Sequence, residues 1–85
     1  MDEYVTKIDT QIMKYQSYID WHTRQAEMAL YNYRSAVREF GKDFWWADMY
    51  WDKYITAKNR IKKHVKFQEH WIERKNLLNN LLETL

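Results

Sequence analysis

The sequence predicts an all-α fold, namely an antiparallel hairpin of two long helices that self-associates into a four-helix, coiled-coil-like bundle. The 85 residues include no proline, no cysteine and a single glycine, Gly41. Hairpins and sandwiches of β-strands use turn residues freely, so this composition disfavours them. Apolar residues recur at helical spacing in the first half of the chain, and the glycine lies near the middle. We therefore expect residues 1–85 to form one helical-hairpin domain.

The first predicted helix covers residues 3–40. Its apolar positions are spaced alternately three and four residues apart, which is the 3.5-residue repeat of a coiled-coil seam. His22 is the one member that is neither apolar nor aromatic, and a single polar seam residue can determine register. The seam positions are Val5, Ile8, Ile12, Tyr15, Ile19, His22, Ala26, Ala29, Tyr33, Ala36 and Phe40.

A turn is predicted over residues 41–43, followed by a second helix over residues 44–83. Gly41 suits the left-handed conformation that commonly follows the end of a helix. Asp43 is a good N-cap, and Asp48 falls early in the second helix, where the helix dipole favours an anion. Folding back at Gly41 pairs residues whose numbers add up to about 83, since the two helices then run antiparallel.

The apolar stripe of the second helix is less regular. One phase contains Phe44, Ala47, Trp51, Tyr54, Lys58, Ile61, Val65, Gln68 and Ile72. The last part of the chain prefers a different phase, that of Trp71, Leu78, Leu82 and Leu85. A change of phase predicts a helix that is kinked or overwound near residues 65–72. A three-helix bundle with a break at that point is the alternative.

The chain has more aromatic surface than two packed stripes can bury. Aromatic residues make up 18% of the sequence, including five Trp and seven Tyr. A helix that is apolar on all sides must be covered by other helices, from the same chain, a second copy or another protein. Trp and Tyr also dominate protein-binding hot spots. We therefore expect a homodimer and a larger protein partner. The predicted partner-binding residues off the seam are Trp21, Met28, Tyr31, Trp45, Trp46 and Tyr50.

A basic segment spans residues 53–66, which contain six basic side chains and no acidic one. Lys58, Lys62 and Lys66 share one helical face, and Lys63 extends it. We include these four lysines among the predicted partner-binding residues. Because aromatic residues lie nearby, nucleic-acid binding is an alternative, with lysines on phosphates and rings on bases. A solvated helix face is the simplest alternative.

The sequence contains no pattern typical of an enzyme. Without cysteine it has no thiolate nucleophile and no Cys-ligated metal site. One glycine cannot form a phosphate loop, and neither Ser17 nor Ser35 lies in a nucleophile motif. His70 and Glu73 are one turn apart, but in the reverse order of the di-iron bundle motif. We expect no catalytic residues, no metal and no cofactor.

These features favour a small protein-binding regulator or inhibitor of the type that phages and mobile elements encode, an origin suggested by size and composition. A nucleic-acid-binding protein and a structural assembly or scaffold piece are the alternatives. The net charge of +2 excludes none of them. No apolar run approaches the roughly 18 residues of a membrane span, and the acidic start at residues 1–4 lacks the features of a signal peptide. We therefore expect a cytoplasmic protein.

Overall fold

The computed structural model describes residues 2–84 as two antiparallel α-helices, α1 (Asp2–Phe40) and α2 (Trp45–Thr84), that pack along their whole length. The prediction of an all-α hairpin is confirmed. The molecule measures 64 × 16 × 13 Å, so it is a rod two helices wide. Residues 1 and 85 lie outside the described part of the chain.

The seam of α1 follows the predicted repeat. Its ten positions from Val5 to Ala36 are all buried or half-buried, and Ile8 is completely inaccessible to solvent. Phe40, the last predicted member, is instead half exposed because it lies where the helices end and the chain turns. The unbroken repeat explains why a helix of 39 residues keeps one face on its neighbour.

The turn is built around Gly41, which has a positive φ of 90°. The Gly41 amide donates to the Val37 carbonyl at 2.9 Å, which satisfies one of the last acceptors of α1. The Phe44 carbonyl accepts from the Ala47 amide at 3.0 Å, so Phe44 occupies the N-cap position that Asp43 was expected to take. Asp48 does lie in the first turn of α2.

The seam of α2 differs from the predicted one. A continuous alternation of three and four residues runs through ten buried or half-buried positions, which are Ala47, Tyr50, Tyr54, Ala57, Ile61, His64, Gln68, Trp71, Lys75 and Leu78. Met49 and the predicted member Val65 are also half-buried, each beside a residue of this seam. The predicted members Trp51, Lys58 and Ile72 are exposed. The phase of Trp71 and Leu78 therefore extends back to the start of α2, which is one helix through residues 65–72.

Polar seam side chains of α2 find partners on α1. The Gln68 amide nitrogen donates to the Ile12 carbonyl at 3.2 Å and to Gln16 Oε1 at 2.9 Å. Lys75 Nζ pairs with Asp9 Oδ1 at 2.7 Å. These partners allow polar residues to occupy positions that a simple apolar pattern would not include.

The register agrees with pairing of residues whose numbers add up to about 83. Tyr33 and Trp51 have ring centroids 5.2 Å apart, and the pair of Asp9 and Lys75 lies near the open end of the hairpin. By this register Ala57 of α2 falls opposite Ala26 and close to Ala29 of α1, and all three alanines are buried. Neither helix contains a segment of the length and apolarity that crossing a lipid bilayer requires.

Candidate functional site

A groove of about 550 Å³ runs between the helices on one broad side of the hairpin. Its floor contains Ala29 and Ala57, which are only 5% and 6% exposed. Longer side chains form its walls, with Trp21 and Met28 on α1 and Met49 on α2. The groove exists because the seam is alanine at this level while the neighbouring positions are large.

The groove identifies which side of each helix faces this broad surface. Its flanking residues directly precede seam positions, and successive residues are about 100° apart around a helix. We call this surface the groove face. Residues that directly follow seam positions lie on the opposite surface, which we call the back face. The groove-face residues that line the groove are Trp21, Gln25, Met28 and Asn32 of α1 and Met49, Lys53, Thr56 and Arg60 of α2.

Cationic side chains border the groove on α2. Lys53 and Arg60 both line it, and Lys53 Nζ lies 5.8 Å from the centre of the Tyr50 ring. Within residues 2–84 the structure gives neither cation a carboxylate partner, although Asp52 also lines the outer part of the groove. The groove therefore combines an apolar floor with a positively charged rim.

A histidine pair lies at one end of the groove. His22, a buried seam residue, stacks on His64 with ring centroids 5.2 Å apart and ring planes 8° from parallel. Trp21 packs edge-on against His22 at 4.9 Å, and Tyr18 lies 5.2 Å from His64. Burial lowers the pKa of His22 from its usual 6.5, and the nearby His64 and Arg60 lower it further. His22 is therefore uncharged near neutral pH.

The back face is aliphatic and aromatic at its centre. Leu30 and Val37 of α1 lie there half-buried, and Trp51 and Ile55 of α2 are 43% and 40% exposed. Trp51 is held against Tyr33 and Tyr54, with centroid separations of 5.2 Å and 5.4 Å. Charges of both signs surround this centre, namely Glu27, Arg34, Asp48, Lys58 and Lys62.

A third aromatic surface covers the turn. Phe40, Phe44, Trp45 and Trp46, which we call the aromatic tip, contact one another with centroid separations between 4.7 Å and 6.0 Å. Trp45 remains 62% exposed and Trp46 40% exposed. The tip therefore stabilises the turn while presenting indole surface to solvent.

The structure separates the predicted partner-binding residues into several places. Trp21, Met28 and Tyr50 line the groove together. Tyr31 faces outward from α1, where it lines a shallower depression of about 380 Å³ beside Met28. Trp45 and Trp46 belong to the aromatic tip.

The four predicted lysines are all exposed, but they do not share one surface with the groove. Lys58 and Lys62 directly follow seam positions, so they lie on the back face, and Lys66 faces outward. Lys63 directly precedes His64 and therefore lies on the groove face beyond the groove itself.

Sequence reasoning missed Met49, Lys53 and Arg60, which complete the groove. Each directly precedes a seam position of α2, so the correct phase of the α2 repeat would have identified them. Within residues 2–84 no group of three or more His, Asp or Glu side chains is placed to hold a metal ion.

Comparison of the chain with protein families, with curated proteins and with solved structures gave no match.

Proposed function

We propose that this chain is a small, non-enzymatic regulator or inhibitor that dimerises and binds a larger protein. The observation that supports the proposal best is the extent of aromatic and aliphatic surface on both broad faces and at the tip. Trp21 is 53% exposed, Met28 61% and Trp45 62%. Soluble single chains rarely leave such patches uncovered, and large exposed patches usually mark interaction surfaces.

The back face is the surface best suited to self-association. Its apolar centre, formed by Leu30, Val37, Trp51 and Ile55, is bordered by both acidic and basic residues, so two copies related by a two-fold axis can match opposite charges. The product is a four-helix, coiled-coil-like dimer. Two groove faces would instead bring Lys53 and Arg60 of one copy against the same cations of the other.

Dimerisation through the back face leaves the groove face and the aromatic tip open to a partner. Trp and Tyr are enriched in binding hot spots, and the adaptable thioethers of Met28 and Met49 suit a binding surface. The regulator works in the cytoplasm in this proposal, and a phage or mobile-element origin accords with its small size.

Sedimentation equilibrium at micromolar concentration tests the dimer. The unmodified chain should sediment as a dimer, and Trp51→Glu on the back face should give a monomer because it places a charge in the apolar centre. Met28→Glu on the groove face is the matched control and should remain a dimer. A monomeric unmodified chain, or a dimer lost only with Met28→Glu, contradicts this assignment.

Partner binding is tested separately, by affinity capture from host extract. The baits are the unmodified chain, Trp51→Glu, Trp21→Ala, and Trp45→Ala combined with Trp46→Ala. A protein that is retained by the unmodified chain and by Trp51→Glu, but lost with Trp21→Ala, is the expected regulatory target. Capture that is insensitive to Trp21, Trp45 and Trp46 contradicts the proposed binding surfaces.

A nucleic-acid-binding function is the second candidate, because Lys53, Arg60 and Lys63 share the groove face with Trp21 and Phe67. Cations beside stacking platforms are the usual equipment for binding single strands. Binding of a labelled oligonucleotide at low salt, weakening steeply as salt rises, would support this candidate. Absence of binding at low salt excludes it.

A further inference from the structure

We propose that the groove binds an acidic, amphipathic α-helix of the partner protein. The inference rests on the proposed protein-binding function and specifies the chemistry of the partner. Three features of the groove lead to it, which are the short side chains of its floor, its apolar walls and the cations on its rim, which form no ion pair within residues 2–84.

The floor and walls leave room for the side chains of a third helix. A helix laid along the crevice between two antiparallel helices inserts side chains at i, i+3 or i+4, and i+7. Ala29 and Ala57 leave room for such side chains, and Trp21, Met28 and Met49 contact them from both sides. The bound helix would convert the two-helix seam into a three-helix core, which encloses the alanine floor from above.

Charge determines what kind of helix fits. Basic residues dominate the groove face, and Glu39 is the one acidic residue among those that directly precede a seam position. The basic members are Lys7, Lys14, Lys53, Arg60, Lys63 and Arg74. A helix with Glu or Asp beside its apolar stripe places carboxylates next to Lys53 and Arg60, which lack carboxylate partners within residues 2–84.

Other occupants fit less well. A second copy would bring either the same basic face or its back face, which the proposed dimer already covers. A nucleic-acid strand would use the cations and the ring of Trp21, but not the methyl and thioether surface of Ala29, Ala57, Met28 and Met49. An apolar stripe with acidic flanks uses both the cations and the apolar surface.

The direct test measures binding of a synthetic, fluorescein-labelled 21-residue helix to the full chain by anisotropy. The probe has Leu at helical i, i+3 and i+7 spacing flanked by Glu. Two matched probes have the same Leu pattern flanked by Lys, or the same composition with the Leu pattern scrambled. We expect the striped acidic probe to bind at least tenfold more tightly than either.

Paired protein variants locate the site. Lys53→Glu together with Arg60→Glu should weaken binding of the acidic probe at least tenfold. Arg24→Glu together with Lys66→Glu makes the same change of charge at exposed, outward-facing positions and should change affinity less than twofold. Far-UV circular dichroism checks that both pairs of variants keep the helicity of the unmodified chain and are therefore folded. In NMR spectra, the methyl signals of Met28 and Met49 should shift on binding, whereas that of Met13, which is exposed on the back face, should not.

Equal binding of the scrambled probe, equal loss with both pairs of variants, or unmoved Met28 and Met49 methyls would overturn the inference. Tighter binding of a poly-dT oligonucleotide that displaces the acidic probe would also overturn it, in favour of nucleic acid. The dimer and the captured partner are measured independently of these probes. A negative result with the probes therefore overturns the acidic-helix occupant alone and leaves the protein-binding proposal to its own test.

Discussion

The imidazole rings of His22 and His64 stack across the helix interface, with planes 8° from parallel and centroids 5.2 Å apart. His64 Nδ1 is buried and has no hydrogen-bond partner within residues 2–84. Protonating His22 would place a largely buried cation beside the basic side chains of His64 and Arg60. The middle of the hairpin is therefore held together most tightly when His22 is neutral.

Stability should consequently fall as the pH is lowered below about 6.5, the pKa that His22 has in the unfolded chain. Its folded pKa is depressed, so the unfolded state binds more protons in this range. The contribution is fully present above pH 6.5 and is lost progressively below it. Urea unfolding between about pH 7.5 and 5.5 measures the slope of the free energy of unfolding against pH. Carboxylates contribute little to this slope because they titrate mainly below this range.

His22→Phe should flatten that slope, whereas His70→Gln, which alters an exposed histidine, should leave it as it is. Equal slopes in the unmodified chain and in His22→Phe would show that His22 does not link folding to pH.

Gly41→Ala should destabilise the hairpin by about 1 kcal/mol, because an L-residue is strained at positive φ. An added Cβ would meet no atom within 4 Å, so the cost comes from the backbone alone. Gly41→Asn should cost less, since Asn tolerates left-handed conformations better than Ala does. Denaturant midpoints of the three chains provide the measurement, and a loss as large for Asn as for Ala would contradict this explanation.

Ile8→Ala should destabilise the protein by about 2–5 kcal/mol, because it removes a fully buried side chain and leaves a cavity. Met13→Ala is the matched control on the same helix and should change stability by less than about 0.5 kcal/mol, since Met13 is 69% exposed. Similar losses at both positions, measured by thermal unfolding, would mean that the open end of the hairpin is not packed as described.

Neighbouring substitutions in α2 distinguish the two phases of its seam. Ala57→Glu should destabilise the fold by at least about 2 kcal/mol, because it forces a carboxylate into the interface between the helices. Lys58→Glu should change stability by less than about 0.5 kcal/mol, because Lys58 is exposed. Greater damage at Lys58, detected as lost helicity or a lower denaturant midpoint, would restore the phase predicted from sequence.

The contrast between the helices shows what sequence patterning could predict. In α1 the repeat consists of apolar and aromatic residues apart from His22, so its phase is readable directly. In α2 the true seam includes Gln68 and Lys75, which are tolerated because Ile12, Gln16 and Asp9 supply partners from the other helix. The residue pattern of one helix does not show which residues of the other helix will lie opposite it.

Exposed apolar residues caused the opposite error, since the prediction placed them in the seam of α2. Trp51 and Ile72 continue a plausible stripe with Ala47 and Tyr54, yet both are exposed in the hairpin. The same error explains the incomplete groove, since Trp21 and Met28 follow from the readable phase of α1. Met49, Lys53 and Arg60 require the phase of α2, which only the pairing of the helices reveals.

The single left-handed turn at Gly41 places Asp2 and Thr84 at the same end of a rod 64 Å long. A force that pulls these two ends apart acts across the interface and separates the helices one level after another, from the open end towards the turn. The ion pair of Asp9 and Lys75 would break early, and the histidine stack only after much of the rod has opened. Only the few contacts at the point of separation bear the force at any moment. The two helices should therefore separate gradually, at low tension, towards the aromatic tip.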